Sequence, residues 1–194
     1  ADKNYSAPYD AWVLTPFYFN RQTPVDSIWV GTAENFNQLG KVQNDWVSKG
    51  AAMQAQFDSV SPCGNHALWG GRVVKEQSEI TKEGLVAFQM CTLGEGANAS
   101  DVAAADVKWA AYLDSQGISD GLHYWYPGFG VSPDRDWDFL SLRISDNFAT
   151  WGGSIDTAVN GGGMAQFGAI YGNLMSCKNG GVWSYEQVRQ SIAD

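Results

Sequence analysis

Two stretches of this chain are written over one skeleton, and that constrains its fold more than any single motif. At an offset of 112, Asp26 falls on Asp138, Asn35 on Asn147, Phe36 on Phe148, Gly40 on Gly152 and Gly50 on Gly162. Upstream, Phe17 meets Phe129. After a slip of two, Cys63, Asn65 and Trp69 meet Cys177, Asn179 and Trp183. The identities fall on Trp, Cys, Phe, Gly and Asn, which coincide by chance less often than Ala or Leu. A repeat of this length points to a supersecondary unit used twice. The plainer alternative is two unrelated segments of similar composition.

Hydropathy periodicity gives the elements of each copy. Ala11 to Phe19 reads as a strand, with Pro16 suiting an edge or a bulge. A turn-like connection over Asn20 to Val25 leads to a strand over Ser27 to Thr32. A helix follows from Asn35 to Ser59, with a break near Gly50. The run Ser61 to Gly64 stops it, and a strand spans Asn65 to Val74. Leu85 to Leu93 is a strand. Asp101 to Asp114 is an Ala-rich helix with Ser100 as its N-cap. Strands follow at Leu122 to Tyr126 and Asp138 to Ile144. The helical region from Asn147 to Leu174 is interrupted at Gly161 to Gly163. Gly180 to Tyr185 is the closing strand, and Glu186 to Asp194 a polar tail with helical character.

From Leu85 onward the order is strand, helix, strand, strand, helix, strand. That is a split βαβ unit, with helices on one face of an antiparallel sheet. The expected fold is therefore α+β: two tandem ferredoxin-like (split βαβ) repeats forming an α+β barrel. Residues 1–75 form the first repeat, which lacks its opening strand and helix, and residues 83–190 a complete second repeat. Carried backwards, the offset lays Ala1 to Tyr5 on the end of the helix before Gly117. The chain is thus expected to start partway through the first repeat; the alternative is that a partner chain completes the sheet.

The cysteines fit this arrangement. In a split βαβ unit the first and fourth strands are antiparallel neighbours, which brings Cys91 beside Cys177 within disulfide reach. Cys63 would then have its partner in the missing strand. Three free thiols are the alternative. A disulfide places a protein outside the cytoplasm, and the acidic, Trp-rich composition agrees with a periplasmic or extracellular location.

The order of elements and the repeat resemble the dimeric α+β barrel superfamily, which includes antibiotic-biosynthesis monooxygenases and NIPSNAP-type proteins. The resemblance covers roughly residues 10–185 at the level of architecture. It implies two facing sheets around a pocket, with helices outside. That superfamily hosts oxygenases, isomerases, haem-handling enzymes and proteins without known activity, so it carries over no catalytic residue.

Composition excludes some functions. Twelve Lys and Arg stand against 21 Asp and Glu, a net charge of -9. No basic stripe exists to replace phosphate counterions, so nucleic acid is not a partner. The apolar runs are too short for membrane insertion by a helix. There is no GxSxG, P-loop, HExxH or zinc spacing, and no cofactor is expected. Nine Trp, eight Tyr and nine Phe imply a core, pocket or interface built from flat rings.

Strand alternation divides the candidate residues. Ile28, Val30, Leu140 and Leu142 suit the layer between sheet and helices. Trp29, Phe139, Ser141 and Arg143 would then face the cavity. Arg143 could hold a carboxylate there, or sit at the rim paired with Asp136. His123, at the start of an aromatic run, is a further candidate, although for His123 and His66 alike a structural role is the plainer reading. The site expected to bind a small apolar or carboxylate ligand is thus Trp29, Phe139, Ser141, Arg143 and His123. Two functions are consistent with these features. One is a non-catalytic secreted or periplasmic ligand-binding or accessory subunit acting through aromatic surfaces, with a protein partner or a second copy. The other is a cofactor-free small-molecule oxygenase or isomerase.

Overall fold

The computed structural model describes residues 5–20, 25–61 and 63–191. In chain order the elements are β1 Asp10–Tyr18, β2 Ile28–Thr32, α1 Phe36–Lys49, α2 Ala51–Val60, β3 Trp69–Lys75 and β4 Glu83–Leu93, then α3 Ala99–Ser115, β5 Gly121–Pro127, β6 Phe139–Ser145, α4 Phe148–Val159, α5 Gly163–Tyr171 and β7 Met175–Arg189. The seven strands form one curled antiparallel half-barrel in the order β2-β1-β7-β4-β6-β5-β3. The fold is α+β. Strands of residues 1–75 flank those of residues 83–190 on both sides, so the two segments share one sheet.

The ladders match one another. Asp10 faces Thr32 as Gly121 faces Ile144, and Leu14 faces Ile28 as Trp125 faces Leu140. Trp69 faces Pro127 as Trp183 faces Pro16, and Gly71 faces Trp125 as Tyr185 faces Leu14. One ladder irregularity also coincides, between Val73 and Lys75 in one ladder and between Ala11 and Trp12 in the other. A one-residue slip reverses every side chain in a strand, so both copies present equivalent faces.

Local chemistry sets the helix ends. Asn35 and Asn147 both cap helices, Asn35 accepting from the Gln38 N–H and Asn147 from those of Ala149 and Thr150. The helix after Asn35 breaks at Gly50, and the one after Asn147 resumes beyond Gly162, whose φ of +80° is left-handed and suits glycine. The cap of α3 is not Ser100. Asn98 accepts from Ser100 and Asp101, and Asp101 returns a bond to the Asn98 N–H, which closes a capping box.

β7 is longer than its apolar run suggests. It begins at Met175 and continues to Arg189, so Glu186 to Arg189 are strand rather than helix. Their backbone groups pair with β1 and β4 regardless of polar side chains. Gly180 permits a close approach within it: a Cβ there would lie 2.8 Å from the Phe88 carbonyl oxygen, beside the irregularity between Ala87 and Gln89. β3 starts at Trp69 rather than Asn65. Of the expected helix tail at Ala1 to Tyr5, only Tyr5 is described, and it is not helical; the Asn20 to Val25 turn, Pro62 of the helix stop and the end of the C-terminal tail also fall wholly or partly outside the described residues.

Two apolar layers hold the sheet. On one face α3 and α5 bring Val102, Ala105, Trp109 and Tyr171 against Cys91, Leu122, Tyr124 and Phe139. The helix-free, concave face gathers Leu14, Val86, Leu142, Trp183 and Tyr185, with Trp12, Phe88 and Trp125 packed around them. Each fully buried ring or aliphatic side chain contributes about 1.5–3 kcal/mol.

Candidate functional site

The faces of β6 and β2 are exchanged relative to the expectation from alternation. Leu140 and Leu142, with Ile28 and Val30, belong to the helix-free layer. Phe139 packs in the helix-side core, its ring 4.8 Å from that of Tyr124 and 5.5 Å from that of Tyr126. Ser141 is buried and faces Tyr124 across the ladder. Arg143 points the same way. Its Nε lies 3.9 Å from Asp120 Oδ2, and the same oxygen accepts from Ser154 Oγ at 2.5 Å. Burial pulls the Arg143 pKa down and the Asp120 charge opposes this; a guanidinium stays charged regardless. The enclosed space beside it, bounded by Trp109, Leu113, Ser154 and Thr157, is about 10 Å³, room for one water at most. The expected rim pairing of Arg143 with Asp136 does not form: Asp136 binds Lys178 at 2.9 Å, on the surface.

Trp29 lies apart from these, on the outer strand β2. Its Nε1 donates to the Tyr9 hydroxyl at 3.0 Å, and its ring meets Phe57 of α2 edge-on at 5.5 Å. His123 faces Leu142 and Val73 across its ladders, which puts it on the helix-free face. Burial lowers its pKa, opposed by the charge of Glu76, so its ring is neutral near pH 7. Phe139, Ser141 and Arg143 share one side of β6, but Trp29 and His123 do not join them. No single pocket is built from the five.

A buried polar cluster was not anticipated. Asp106 of α3 is 2% exposed. Its Oδ1 accepts from the hydroxyls of Tyr124 at 2.9 Å and Tyr171 at 2.6 Å, and its Oδ2 binds Arg72 of β3. Arg72 also lies over the Tyr124 ring, 5.1 Å from its centre. Burial raises the pKa of both tyrosines, and the Asp106 charge adds to it, so both remain neutral donors. Lys75, next along β3, reaches Asp114 and the Asp120 carbonyl oxygen at 3.3 Å. These contacts tie β3 beneath α3. Every charged oxygen of Asp106 is matched by a donor, which is the arrangement of a structural anchor rather than of a reacting group.

The exposed rings are the most prominent surface feature. Phe17, Tyr18 and Phe19, at and just beyond the end of β1, are 48%, 54% and 61% exposed, and Phe148 of α4 is 41% exposed. Phe17 packs 4.4 Å from Phe148, and Tyr18 5.9 Å from Trp151. Beneath this patch the buried Trp151 Nε1 has no acceptor among the described residues. The counterparts of Phe17 and Phe148 by offset, Phe129 and Phe36, are also exposed, at 84% and 62%. Large rings left in water cost free energy that a covering partner recovers.

The helix-free face offers a second surface. Phe88 meets Trp125 at 5.9 Å and Trp183 at 6.5 Å, both edge-on. Polar groups are sparse there: His123, and the Tyr185 hydroxyl, which is 2.9 Å from Thr81 Oγ1. Among the described residues no group of His, Cys, Asp and Glu is placed to hold a metal ion, and no helix is long and apolar enough to cross a membrane. No protein-family model matches the chain, and neither a curated protein nor a solved structure is similar to it.

Proposed function

We propose that this protein is a non-catalytic ligand-binding or accessory subunit, secreted or periplasmic, that works through its exposed aromatic surfaces. The observation that carries this reading is the ring cluster of Phe17, Tyr18, Phe148 and Trp151, in which Phe17, Tyr18 and Phe148 are exposed. Clustered aromatic side chains left at the surface are what a partner recognises. Arg143 supports the same reading, since it is buried beside Asp120, a carboxylate of its own chain. Cys91 and Cys177, at disulfide distance, support an oxidising compartment.

The architecture we propose is that of two tandem split βαβ units in an α+β barrel, as in the dimeric α+β barrel superfamily. The matched ladders support it, as does the order β7-β4-β6-β5, with α3 joining β4 to β5 and α4 and α5 joining β6 to β7.

A photocrosslinker tests the accessory role. Benzoylphenylalanine at position 148 should give a discrete adduct in the protein's native extract, and at the exposed Val107 of α3 it should give none. Adducts from both positions, or from neither, end the proposal. A second reading, a cofactor-free oxygenase or isomerase, is favoured by one observation: His123 stands neutral on an apolar, ring-lined face. Its mark would be quenching of tryptophan emission by a small aromatic ligand, abolished in Trp125→Ala.

A further inference from the structure

The position that β4 fills in one half of the sheet is unfilled in the other. β4 lies between β6 and β7, paired to β6 from Leu85 to Cys91 and to β7 from Glu83 to Leu93. By the matched ladders, β2 corresponds to β6 and β3 to β7. Yet β2 and β3 are the two ends of the sheet, each paired on one side only among the described residues. Unpaired N–H and C=O groups along a strand edge form a template for another strand.

Side chains around these edges repeat the surroundings of β4 without β4. Cys177 is bonded to Cys91, whereas its counterpart Cys63 is a free, exposed thiol. Residues 177–182 are strand where β4 pairs with them, whereas residues 63–68 belong to no strand, and Cys63 to Ala67 are exposed. Asp138 fastens the end of β4: its N–H donates to the Cys91 carbonyl at 2.8 Å, and its Oδ2 accepts from the Leu93 N–H at 2.7 Å. Helix α5 buries Gly163 and Tyr171, whereas its counterpart α2 buries no residue.

We propose that β2 and β3 take between them an extended polypeptide strand from outside these 194 residues, antiparallel to both and bearing a cysteine that bonds to Cys63. The repeat sets its register. The residue opposite Cys63 also stands opposite Ser27, as Cys91 stands opposite both Cys177 and Phe139. Alternate residues are apolar and join the helix-free face, as Val86 and Phe88 do. Inserting this strand closes the half-barrel, because it joins the two ends of the sheet. The bond forms when the two thiols give up two protons and two electrons to a disulfide oxidant such as oxidised glutathione, which leaves as two glutathione thiols. The inference rests on the tandem-repeat architecture and not on the aromatic patches, so it stands or falls apart from the accessory role.

A synthetic peptide with the β4 sequence from Glu83 to Leu93, flanked by lysines for solubility, tests it in a glutathione redox buffer. Intact mass and peptide mapping should show a one-to-one adduct at Cys63. Docking raises the effective thiol concentration, so the adduct should form at least about tenfold faster than with a scrambled peptide of the same composition. Equal rates, or a Cys63–Cys63 dimer as the main product, overturn the proposal. Docking without the bond is read with a Cys63→Ser chain and a serine-for-cysteine peptide. Hydrogen exchange of β2 and β3 amides should slow by at least about tenfold; unchanged exchange overturns it equally.

Discussion

Cys91 and Cys177 stand directly opposite each other on β4 and β7, their Cα atoms 4.1 Å apart and their sulfurs 2.09 Å apart. They close a loop with a sequence separation of 86. Constraining an unfolded loop of that size stabilises the folded state by about 2–5 kcal/mol. The double variant Cys91→Ser with Cys177→Ser should lose that amount in urea unfolding. In the unfolded, unreduced wild type a thiol reagent should find one reactive cysteine, Cys63. Three would show that the bridge does not form.

Asp106 is a single carboxylate serving Arg72, Tyr124 and Tyr171. Asp106→Ala leaves a half-buried guanidinium and two buried hydroxyls without an acceptor. The cost should be about 3–5 kcal/mol, seen as a lower urea midpoint. If the loss is under about 1 kcal/mol, the cluster is not the anchor of β3 described above.

The acid side of the stability curve should report on the N-terminal segment. Lys49 Nζ at 2.7 Å and the Ser6 N–H at 2.6 Å hold the Asp45 carboxyl at about 2, well under its ordinary 3.8. A depressed carboxylate contributes fully above its unfolded pKa, and that contribution fades as pH falls through the folded one. The Ser6 amide resonance should therefore titrate with a midpoint near 2 and lose its pH dependence in Asp45→Asn. A midpoint near 4 would show the contact to be absent in solution.

His123 acts in a higher window with the same sign. Burial favours its neutral form, so the folded pKa lies below the ordinary 6.5. The unfolded chain then binds the proton more readily, and stability is lost as pH falls below the unfolded value toward the folded one. The urea midpoint should drop between pH 8 and pH 5, and the drop should shrink in His123→Leu. An unaltered drop in that variant would assign the effect to other groups.

Two phenylalanines separate core from surface. Phe139 is fully enclosed under α3 and α5, so Phe139→Ala should cost about 3–5 kcal/mol. Phe129 is almost fully exposed, so Phe129→Ser should change stability by no more than about 0.5 kcal/mol. Comparable losses in both variants would contradict the packing.

Alternation in β6 was readable from the residues, but its direction was not. A period of two separates Phe139, Ser141 and Arg143 from Leu140, Leu142 and Ile144 without saying which set meets the helices. Here both faces carry buried apolar residues, so hydrophobicity does not decide. Aliphatics went to the concave side, and Arg143 went under the helices because Asp120 and Ser154 meet it there. The helix starts at Asn35 and Asn147, the interruptions at Gly50 and Gly162 and the pairing of Cys91 with Cys177 were legible because each is local or follows from strand order. Asp106 carried a usable signal: it shares the buried stripe of Val102, Ala105, Trp109 and Leu113. A carboxylate at such a position implies partners on other elements, and those are visible only once β3, β5 and α5 are brought together. Polar side chains hid the end of β7 because its role there is carried by backbone.

β7 is the last described strand, and among the described residues it alone pairs with both β1 and β4. The Ser184 hydroxyl bonds to the Thr15 carbonyl across 169 positions of sequence. Contacts that distant slow folding, because a long loop must close before they form. Until β7 is added, no described strand joins the β1–β2 hairpin to the β4-β6-β5-β3 part of the sheet. Joining the two parts of the sheet is therefore the late step of folding, because it waits on the contacts most distant in sequence.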